Sequence, residues 1–429
     1  MNLFDTGPGV AIATLVGAAV VVIAAIFYFV QSAPPSSITI STGMEGSSFQ
    51  KNAIKYAAIL EKNGVKVKVL TSEGSAENLK RLEDPNSHVD VGMVQDGIQN
   101  AGSDKLVSLG SISYQPVLIF YRGKHVDFLS DFKGKKISIG PVGSGTRTFA
   151  LNLLGANGIK ENESTPLLDL EASAASKALQ DNKIEAAFIM SESASTDILH
   201  DLLRSKEIHL YSFKQSSAYS RKFDYLNPLD LSEGAIDLGL NIPEQDVSLV
   251  GPTVELIAKK DLHPALSDLL LEAATQVHSH PGIFQKRGEF PNPIEHEIHV
   301  SDDASRFYKS GKSFLYRFLP FWLASLVSRI FVVFVPMLVI LIPTLKSIPA
   351  FFRWRNQSKI NQRYRELLTV EQAFLQEKDP HKQTLLRKEF DQIEETVNKM
   401  KVKASFADQY YGLRGHIDYV RNMVDGRTA

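Results

Sequence analysis

The chain has 429 residues, which leaves room for two or three domains, and 44% of them are hydrophobic. Its formal net charge of −1 argues against a generally basic nucleic-acid-binding protein. It contains no cysteine, but a domain of this size can bury a core without disulfides.

The first predicted element is an uncharged apolar run over residues 10–30, which follows a short N-terminal segment at 1–9. About 20 apolar residues are enough to cross a bilayer, so we expect a transmembrane signal anchor at 10–30. A cleaved signal peptide usually has a basic start and a shorter apolar core, whereas residues 1–9 contain no Lys or Arg. Cleavage after Ala33 is the alternative.

After a Ser/Pro-rich linker at 31–37, short apolar strands alternate with helical segments. This alternation predicts an α/β architecture with largely parallel sheets, which bind ligands at the carboxyl ends of their strands. The predicted strands are 38–41, 65–70, 89–94, 106–111, 116–121, 136–139 and 186–190, and the predicted helices are 48–63, 76–82, 146–157 and 172–181.

A second apolar run covers residues 318–345 and is also long enough to span a membrane. The stretch 331–342 has no charge, which makes it too uniformly apolar for an amphipathic soluble helix. A buried core helix is the alternative. Arg329 either snorkels to the membrane interface or faces a partner group, and the sequence does not choose between these.

Two spans would place both chain ends on one side of the membrane and the central region on the other. Six basic residues follow the second span, so the positive-inside tendency places the tail in the cytoplasm. Four basic residues before that span weaken this assignment. The following residues are Lys346, Arg353, Arg355, Lys359, Arg363 and Arg365, and the preceding ones are Arg306, Lys309, Lys312 and Arg317.

The tail at 353–429 is predicted to be a helical domain, with helices at 360–378, 381–402 and 408–424. One apolar stripe is suited to an antiparallel helical pair. We expect it to close the helical hairpin, and a docking surface for a cytoplasmic partner is the alternative. The stripe consists of Leu386, Phe390, Ile393, Val397 and Met400.

Three predicted strands run into loops rich in glycine and hydroxyl residues, at 42–49, 71–78 and 140–148. Glycines allow consecutive backbone N–H groups to point into one concavity, and the helix that follows adds the partial positive charge of its N-terminus. Any one of these loops could be an ordinary helix cap. Three of them at successive strand ends favour a site for a small polar ligand, with an anion at the loop 140–148.

This anion is not expected to be a nucleotide phosphate. Gly140 and Gly145 have P-loop spacing, but Thr146 and Arg147 stand where the P-loop continues with Lys and then Ser or Thr. The dinucleotide fingerprint also fails, because Thr148 stands where a third glycine or alanine is needed.

No metal, cofactor or catalytic site is predicted. Two histidine pairs, His278 with His280 and His296 with His299, lack the spacing of zinc ligands, so we expect solvated surface histidines. No nucleophile, base and orienting acid assemble in the sequence, so an enzyme ranks behind a binding protein.

The segments that carry a family resemblance are Thr42 and Gly43, Gly46 to Phe49, Gly74 to Leu79, Val94 to Asp96, Asp131 to Thr146 and Ile184 to Phe188. In this order, over about 38–300, they resemble the TAXI-type solute-binding proteins associated with TRAP transporters. The resemblance implies a type II periplasmic binding-protein fold at 38–305, with a first lobe at about 38–115 plus 245–300 and a second at about 120–240. It also implies a small carboxylate or amino-acid-like anion as the solute.

The resemblance further implies a ligand site at the cleft between the lobes. Tyr114 could equally be a hinge or surface aromatic, and Phe49 a core residue of its helix. Glu192, together with Ser193, would meet an amine or hydroxyl of the ligand, while the loop 143–146 would receive its carboxylate. The implied ligand residues are Ser47, Ser48, Phe49, Gly74, Ser75, Gln95, Asp96, Tyr114, Gly143, Ser144, Gly145, Thr146 and Glu192.

The two apparent spans and the tail depart from soluble members of that family, which end after the binding domain. The expected protein is therefore an anchored receptor of the bacterial inner membrane, with its binding domain in the periplasm and a TRAP-type permease as its possible partner. The alternative is a transmembrane sensor or scaffold that signals through the cytoplasmic helices.

Overall fold

The computed structural model of the chain describes residues 8–31, 33–98, 104–161, 164–312, 314–402 and 406–426. Residues 1–7 of the predicted N-terminal segment lie outside this part. The chain divides into two compact units, Ala33–Ser328 and a second unit formed by Met1–Ser32 with Arg329–Ala429.

All seven strands and four helices predicted for the central region are present, with ends within three residues of those predicted. The strands are β1 Ser37–Ser41, β2 Lys66–Leu70, β3 Val91–Gln95, β4 Leu106–Tyr114, β5 Leu118–Arg122, β6 Ile137–Ser138, β7 Leu167–Leu168, β8 Ala186–Ile189, β9 Ile208–Leu210, β10 Asn227–Leu231, β11 Val247–Gly251 and β12 Thr253–Lys259. The α-helices are α1 Pro8–Gln31, α2 Ser48–Lys62, α3 Ser75–Glu83, α4 Gly145–Ala156, α5 Ala172–Gln180, α6 Thr196–Arg204, α7 Ser216–Lys222, α8 Pro264–His278, α9 Asp302–Ser310, α10 Phe314–Phe318, α11 Phe321–Gln376, α12 Pro380–Asn398 and α13 Ala407–Gly426.

The unit Ala33–Ser328 contains two five-stranded sheets, ordered β2-β1-β3-β12-β4 and β7-β6-β8-β5-β9. The expectation of largely parallel sheets holds for four of the five strands in each sheet, and the fifth strand makes each sheet mixed. In the first sheet β12 runs antiparallel to both of its neighbours, and in the second sheet β5 does the same. These are the two strands through which the chain enters one sheet after leaving the other, so their direction follows from the crossings between sheets.

We call each sheet, with the helices packed on it, the first and the second lobe. Two neighbouring connections join the lobes, β4 to β5 and β11 to β12, and the backbone N–H of Gln115 donates to the carbonyl of Pro252 at 2.9 Å. The strand β11, expected in the first lobe, pairs with β10 and packs into the core of the second lobe. The chain therefore returns to the first lobe at about Pro252.

Helix α2 shows why the first lobe folds as it does. Its buried residues Phe49, Ala53, Tyr56 and Leu60 are three or four positions apart, so they share one helix face and pack against the first sheet and α8. Phe49 is 2% exposed within this core. Phe49 therefore lies in the core of the first lobe.

The two lobes share apolar core as well as hydrogen bonds. One continuous cluster of buried side chains contains Leu79 and Val94 of the first lobe together with Phe149 and Met190 of the second. Burying this surface between the lobes favours their approach, because apolar area is removed from water. The lobes are thus in a closed arrangement.

In the described part of the chain one helical stretch, Phe321–Ile340, is long and apolar enough to cross a membrane, with a mean hydropathy of 2.4. Ala19–Gln31 within α1 is a shorter apolar stretch. The helix α11 continues without a break from Phe321 to Gln376, so the separate tail helix expected to begin at 360 is part of the same helix. A proline removes one backbone hydrogen bond, and Pro336 does not end the helix.

Arg329 contacts the other apolar helix. Its guanidinium donates to the backbone carbonyl of Phe29, with Nη2 at 2.6 Å, and lies over the Phe29 ring at 4.3 Å from the centroid. The sequence left two positions open for Arg329, either at the membrane interface or facing a partner group. The contacts with Phe29 correspond to the second position.

The C-terminal helices have a buried core of their own. Phe390, Ile393 and Val397 of the predicted stripe are buried, and Leu386 and Met400 pack against them. The other contributors come from the end of α11 and from α13, including Leu367 and Leu413, both 0% exposed. The stripe therefore lies inside a bundle formed with α11 and α13, whereas the sequence predicts a two-helix hairpin.

Candidate functional site

Two of the three polar loops deliver helix N-termini to a single point between the lobes. Helix α3 of the first lobe begins at Ser75 without a side-chain cap, and α4 of the second lobe begins at Gly145. The first N–H groups of an α-helix have no partner within the helix and carry its partial positive charge. These two helix ends therefore require an acceptor, and an anion suits them best.

The acceptor is the carboxylate of Glu192, which lies in the loop after β8. Its Oε2 accepts from the backbone N of Ser75 at 3.1 Å and from the Ser75 hydroxyl at 2.8 Å. Its Oε1 accepts from the backbone N of Thr146 at 2.8 Å, and the Gly145 N–H also faces it. Glu192 is 0% exposed. We call Ser75, Gly145, Thr146 and Glu192 the carboxylate cradle.

The electrostatics of the cradle combine two opposing effects. Burial raises the pKa of Glu192, while the hydrogen bonds from Ser75, Thr146 and Gly145 lower it, and burial has the larger effect. The N–H and O–H donors favour the charged form and therefore offset part of the cost of burying this carboxylate.

Two predicted glycines are needed at the cradle because no side chain fits there. A Cβ on Gly145 would lie 1.7 Å from Oε1 of Gln95, and a Cβ on Gly74 would lie 2.8 Å from Oε2 of Glu192. Gly74 also has a φ of 132°, which L-residues rarely adopt. Gln95, also predicted, lines the cradle, and its backbone N donates to the Ser75 hydroxyl at 3.1 Å.

Other predicted ligand residues serve the closed interface or the helix ends. Ser48 donates from its backbone N to the carbonyl of Ser191 at 2.9 Å, across the lobes. Ser47 and Ser144 cap α2 and α4, so their hydroxyls accept from helix N–H groups. The Gly143 carbonyl accepts from the backbone N of Glu77 at 3.1 Å, also across the lobes.

Tyr114 contacts the C-terminal segment of the first lobe rather than the cradle. Its hydroxyl donates to Glu289 at 2.9 Å, and its ring packs edge-on against Phe290. Burial and the hydrogen bond to Glu289 raise the pKa of Tyr114 to about 12. This placement matches the hinge alternative, since Tyr114 is the last residue of β4 before the crossing.

Two residues of the interface, Ser191 and Gln115, and one residue beneath it, Asn78, were missed from the sequence. Ser191 bonds with the hydroxyl of Ser48 at 3.1 Å, and Gln115 at the crossing lies 2.6 Å from the Ser191 hydroxyl. Asn78 is fully buried beneath the cradle. Asn78 lies within a predicted loop, but its role depends on contacts with β1 and β3. Ser193, predicted to contact ligand, instead bonds with the Thr146 hydroxyl at 2.8 Å.

The histidines are not all solvated, which corrects the expectation from the sequence. His278 is 6% exposed and packs edge-on to Tyr56, and burial lowers its pKa to about 4. His296 lies between two carboxylates, with Nδ1 2.7 Å from Asp96 and Nε2 3.4 Å from Glu255. His280 and His299 are exposed, and the described residues contain no group of three or more side chains suited to a metal.

Asp96 therefore belongs to an ionisable cluster next to the crossing and is not part of the cradle. Burial raises the pKa of Glu255 to about 8, although the charge of His296 opposes this. Burial lowers the pKa of His296, but the hydrogen bond that its Nδ1–H donates to Asp96 and the charges of Glu255, Asp96 and Asp224 outweigh it and leave the pKa raised. Asp224 and Glu297 also face this cluster.

The pKa values of Glu255 and His296 are raised in the folded state. Both groups therefore stabilise the fold at acid pH, and this stabilisation is lost as the pH rises. For Glu255 the loss begins above 4.5 and continues to about 8, and for His296 it occurs above 6.5. We expect Glu255→Gln to leave stability unchanged near pH 5 and to raise it near pH 8 by on the order of 2 kcal/mol. Urea unfolding of the full-length chain across this pH range measures the effect.

Glu244→Gln is the matched control, because Glu244 is exposed. An equal stability gain in both variants, or a loss in Glu255→Gln at pH 8, would show that Glu255 does not carry this pH dependence.

The sequence profile of the NMT1-like family matches residues 40–274. No curated protein matches the chain. Similar solved structures include the periplasmic aliphatic sulphonate binding protein SsuA from Escherichia coli, 17% identical over 57% of this chain and 70% of its own, with a TM-score of 0.35. The effector-binding domain of QuiR in complex with shikimate is 10% identical over 56% and 96%, with a TM-score of 0.37.

Proposed function

The chain belongs to the NMT1-like family, and from this premise we propose that it is a membrane-anchored, extracytoplasmic solute receptor. It binds a small carboxylate or amino-acid-like anion by closure of its two lobes, without chemical conversion. It is of the TAXI type and delivers its solute to a TRAP-type permease.

One observation carries this proposal. Donors from both lobes converge on a single carboxylate, with Ser75 on α3 of the first lobe and Thr146 on α4 of the second. An anion held from both sides favours the closed arrangement, because it contacts the two helix ends together only when the lobes meet. This is the geometry that a receptor for carboxylates needs.

The membrane topology is part of the same proposal. The helical stretch Phe321–Ile340 is the candidate span that supports anchoring, and residues 10–30 are proposed as a second span. The lobes at 38–305 lie in the periplasm of a bacterial inner membrane, and the helices at 353–429 lie in the cytoplasm. The basic residues that follow Phe321–Ile340 in the sequence support this orientation.

Binding can be tested on the full-length chain with a panel of dicarboxylates, monocarboxylates and amino acids. We expect at least one acid to raise the melting temperature and to bind in calorimetry. Thr146→Val removes a hydroxyl that lies 3.4 Å from the Glu192 carboxylate, and we expect it to weaken binding by about tenfold.

Thr148→Val is the matched control, because the Thr148 hydroxyl faces the Ser144 carbonyl at 3.5 Å and not the cradle. Failure of the whole panel would count against a carboxylate receptor. Equal affinity in Thr146→Val and the unchanged protein would show that the Thr146 hydroxyl does not contribute to binding.

A second candidate is a sensor or scaffold, in which the outer lobes control a partner of the cytoplasmic helices. The separate buried core of the C-terminal helices favours it, because a simple anchor does not need one. A signalling protein that co-purifies with the full chain and is lost on deletion of residues 357–429 would support sensing. Neighbouring genes for a TRAP-type permease would support transport.

A further inference from the structure

The carboxylate cradle is filled by the chain itself. Both oxygens of Glu192 accept hydrogen bonds, and the side chains around them, Ser75, Gln95 and Thr146, are at most 1% exposed. The polar loops predict a position for the carboxylate of a solute. In the structure the carboxylate of Glu192 occupies that position.

The two oxygens of Glu192 are divided between the lobes. Oε2 bonds with Ser75 of the first lobe, and Oε1 bonds with Thr146 of the second. Glu192 itself follows β8 in the second lobe, so its side chain reaches across the interface to α3. A bound solute that holds two lobes together makes the same kind of contacts.

The backbone of the same loop also lies in the interface. The Glu192 carbonyl accepts from the backbone N of Met44 at 3.3 Å, and the Ser191 carbonyl accepts from that of Ser48 at 2.9 Å. The loop is thus part of the closed state through its main chain as well as its side chain. Opening the lobes would break all of these contacts.

The family resemblance implies that Glu192 meets an amine or hydroxyl of the ligand, and the geometry favours a different role. Every hydrogen-bond partner that the structure gives this carboxylate is an N–H or O–H donor of the protein. Its oxygens are directed to two helix N-termini, where the helix charge already stabilises a negative group. A solute ammonium group would compete with those donors for the same oxygens.

We propose that Glu192 is a tethered ligand, which occupies the carboxylate site, holds the lobes closed without solute, and must leave before an anionic solute binds. This rests on the proposed function, because the solute carboxylate competes for the same donors. The receptor is then held in a self-liganded state, and the apparent affinity for solute is reduced by the fraction of molecules in which Glu192 is in place.

The test is to remove the side chain and supply a free carboxylate. Glu192→Ala leaves the donors of Ser75, Gly145 and Thr146 facing a space of about the size of acetate. We expect sodium acetate, compared with sodium chloride at equal ionic strength, to raise the melting temperature of the full-length variant. The expected rise is roughly 5 °C at about one hundred times Kd, and the unchanged protein should show none.

Two further variants keep the test decisive. Glu244→Ala removes an exposed carboxylate and should behave like the unchanged protein. Glu192→Gln fills the space but turns an amide N–H₂ toward N–H donors, so it should lower the melting temperature and gain nothing from acetate.

If acetate fails to stabilise a folded Glu192→Ala variant, the proposal is wrong. If Glu192→Ala does not fold, a Glu192→Gln variant as stable as the unchanged protein would overturn it equally, and a destabilised one would support it.

This result is separate from that of the solute panel. Acetate rescue of Glu192→Ala without any solute for the unchanged protein would keep the tethered ligand and reject the receptor function. Solute binding by the unchanged protein without acetate rescue would do the reverse.

Discussion

Replacing Gly43 with alanine is expected to prevent closure of the lobes. A Cβ at this position would lie 2.3 Å from the backbone carbonyl oxygen of Glu192, far inside van der Waals contact. The backbone of residue 43 fixes the position of this Cβ, and the oxygen belongs to the backbone of Glu192. No change of rotamer therefore relieves the clash. The hydrogen bonds of Met44 and Ser48 to the opposite lobe should therefore be lost together.

Amide hydrogen exchange of Met44 and Ser48 measures this effect, because both N–H groups donate across the lobes. We expect their exchange to be faster by on the order of tenfold or more in Gly43→Ala. Gly155→Ala in α4 is the control, since its Cβ would meet nothing within 4 Å and alanine favours a helix. Unchanged protection of Ser48 in Gly43→Ala would mean that the lobes tolerate the added methyl group.

Asn78→Ala is expected to have the largest effect on stability. The Asn78 amide oxygen accepts from the hydroxyls of Ser41 at 2.6 Å and Ser72 at 2.7 Å. Its amide nitrogen donates to the carbonyls of Thr42 and Met93 at 2.5 and 2.8 Å. One buried side chain thus ties the ends of β1 and β3 to α3, whose N-terminus forms half of the cradle.

Alanine would leave four buried polar groups without this partner, so we expect a loss of about 3–5 kcal/mol. Thermal and urea unfolding of the full-length chain should show a lower melting temperature with little change in the denaturant slope. Asn63→Ala is the matched control, because Asn63 makes a single side-chain bond, to the Ile59 carbonyl, and should lose less than about 1 kcal/mol. Similar losses in the two variants would contradict the role assigned to Asn78.

The sequence predicts the helices, the strands and the polar loops well because these features are local. Strand residues alternate or form apolar runs, and glycine and hydroxyl residues mark the points where strands lead into helices. The loops that contain Ser75, Gly145 and Thr146 follow from this pattern, whereas their roles as ligand residues were implied by the family resemblance. The strand directions do not, because β12 and β5 are placed by chain crossings between the sheets and not by their own residues.

The roles of single polar residues were harder to predict because they depend on distant contacts. Ser144 and Thr146 are two positions apart, yet one caps α4 and the other contacts Glu192. The Nδ1 atom of His296 contacts the carboxylate of Asp96, which lies two hundred positions away in the sequence. Neighbouring residues in the sequence do not show whether a histidine lies between carboxylates or in solvent. The pattern around His296 therefore could not predict its environment.

The central claim is that the two lobes close over a carboxylate and that Glu192 supplies it. Because the chain has no cysteine, Glu61→Cys on α2 and Lys177→Cys on α5 would place spin labels on exposed sites of the two lobes. The distance between these labels should be short and unaffected by acetate when Glu192 is present. In Glu192→Ala it should lengthen by several ångströms and return to the short value in acetate. Identical distances in both proteins, with and without acetate, would contradict the claim.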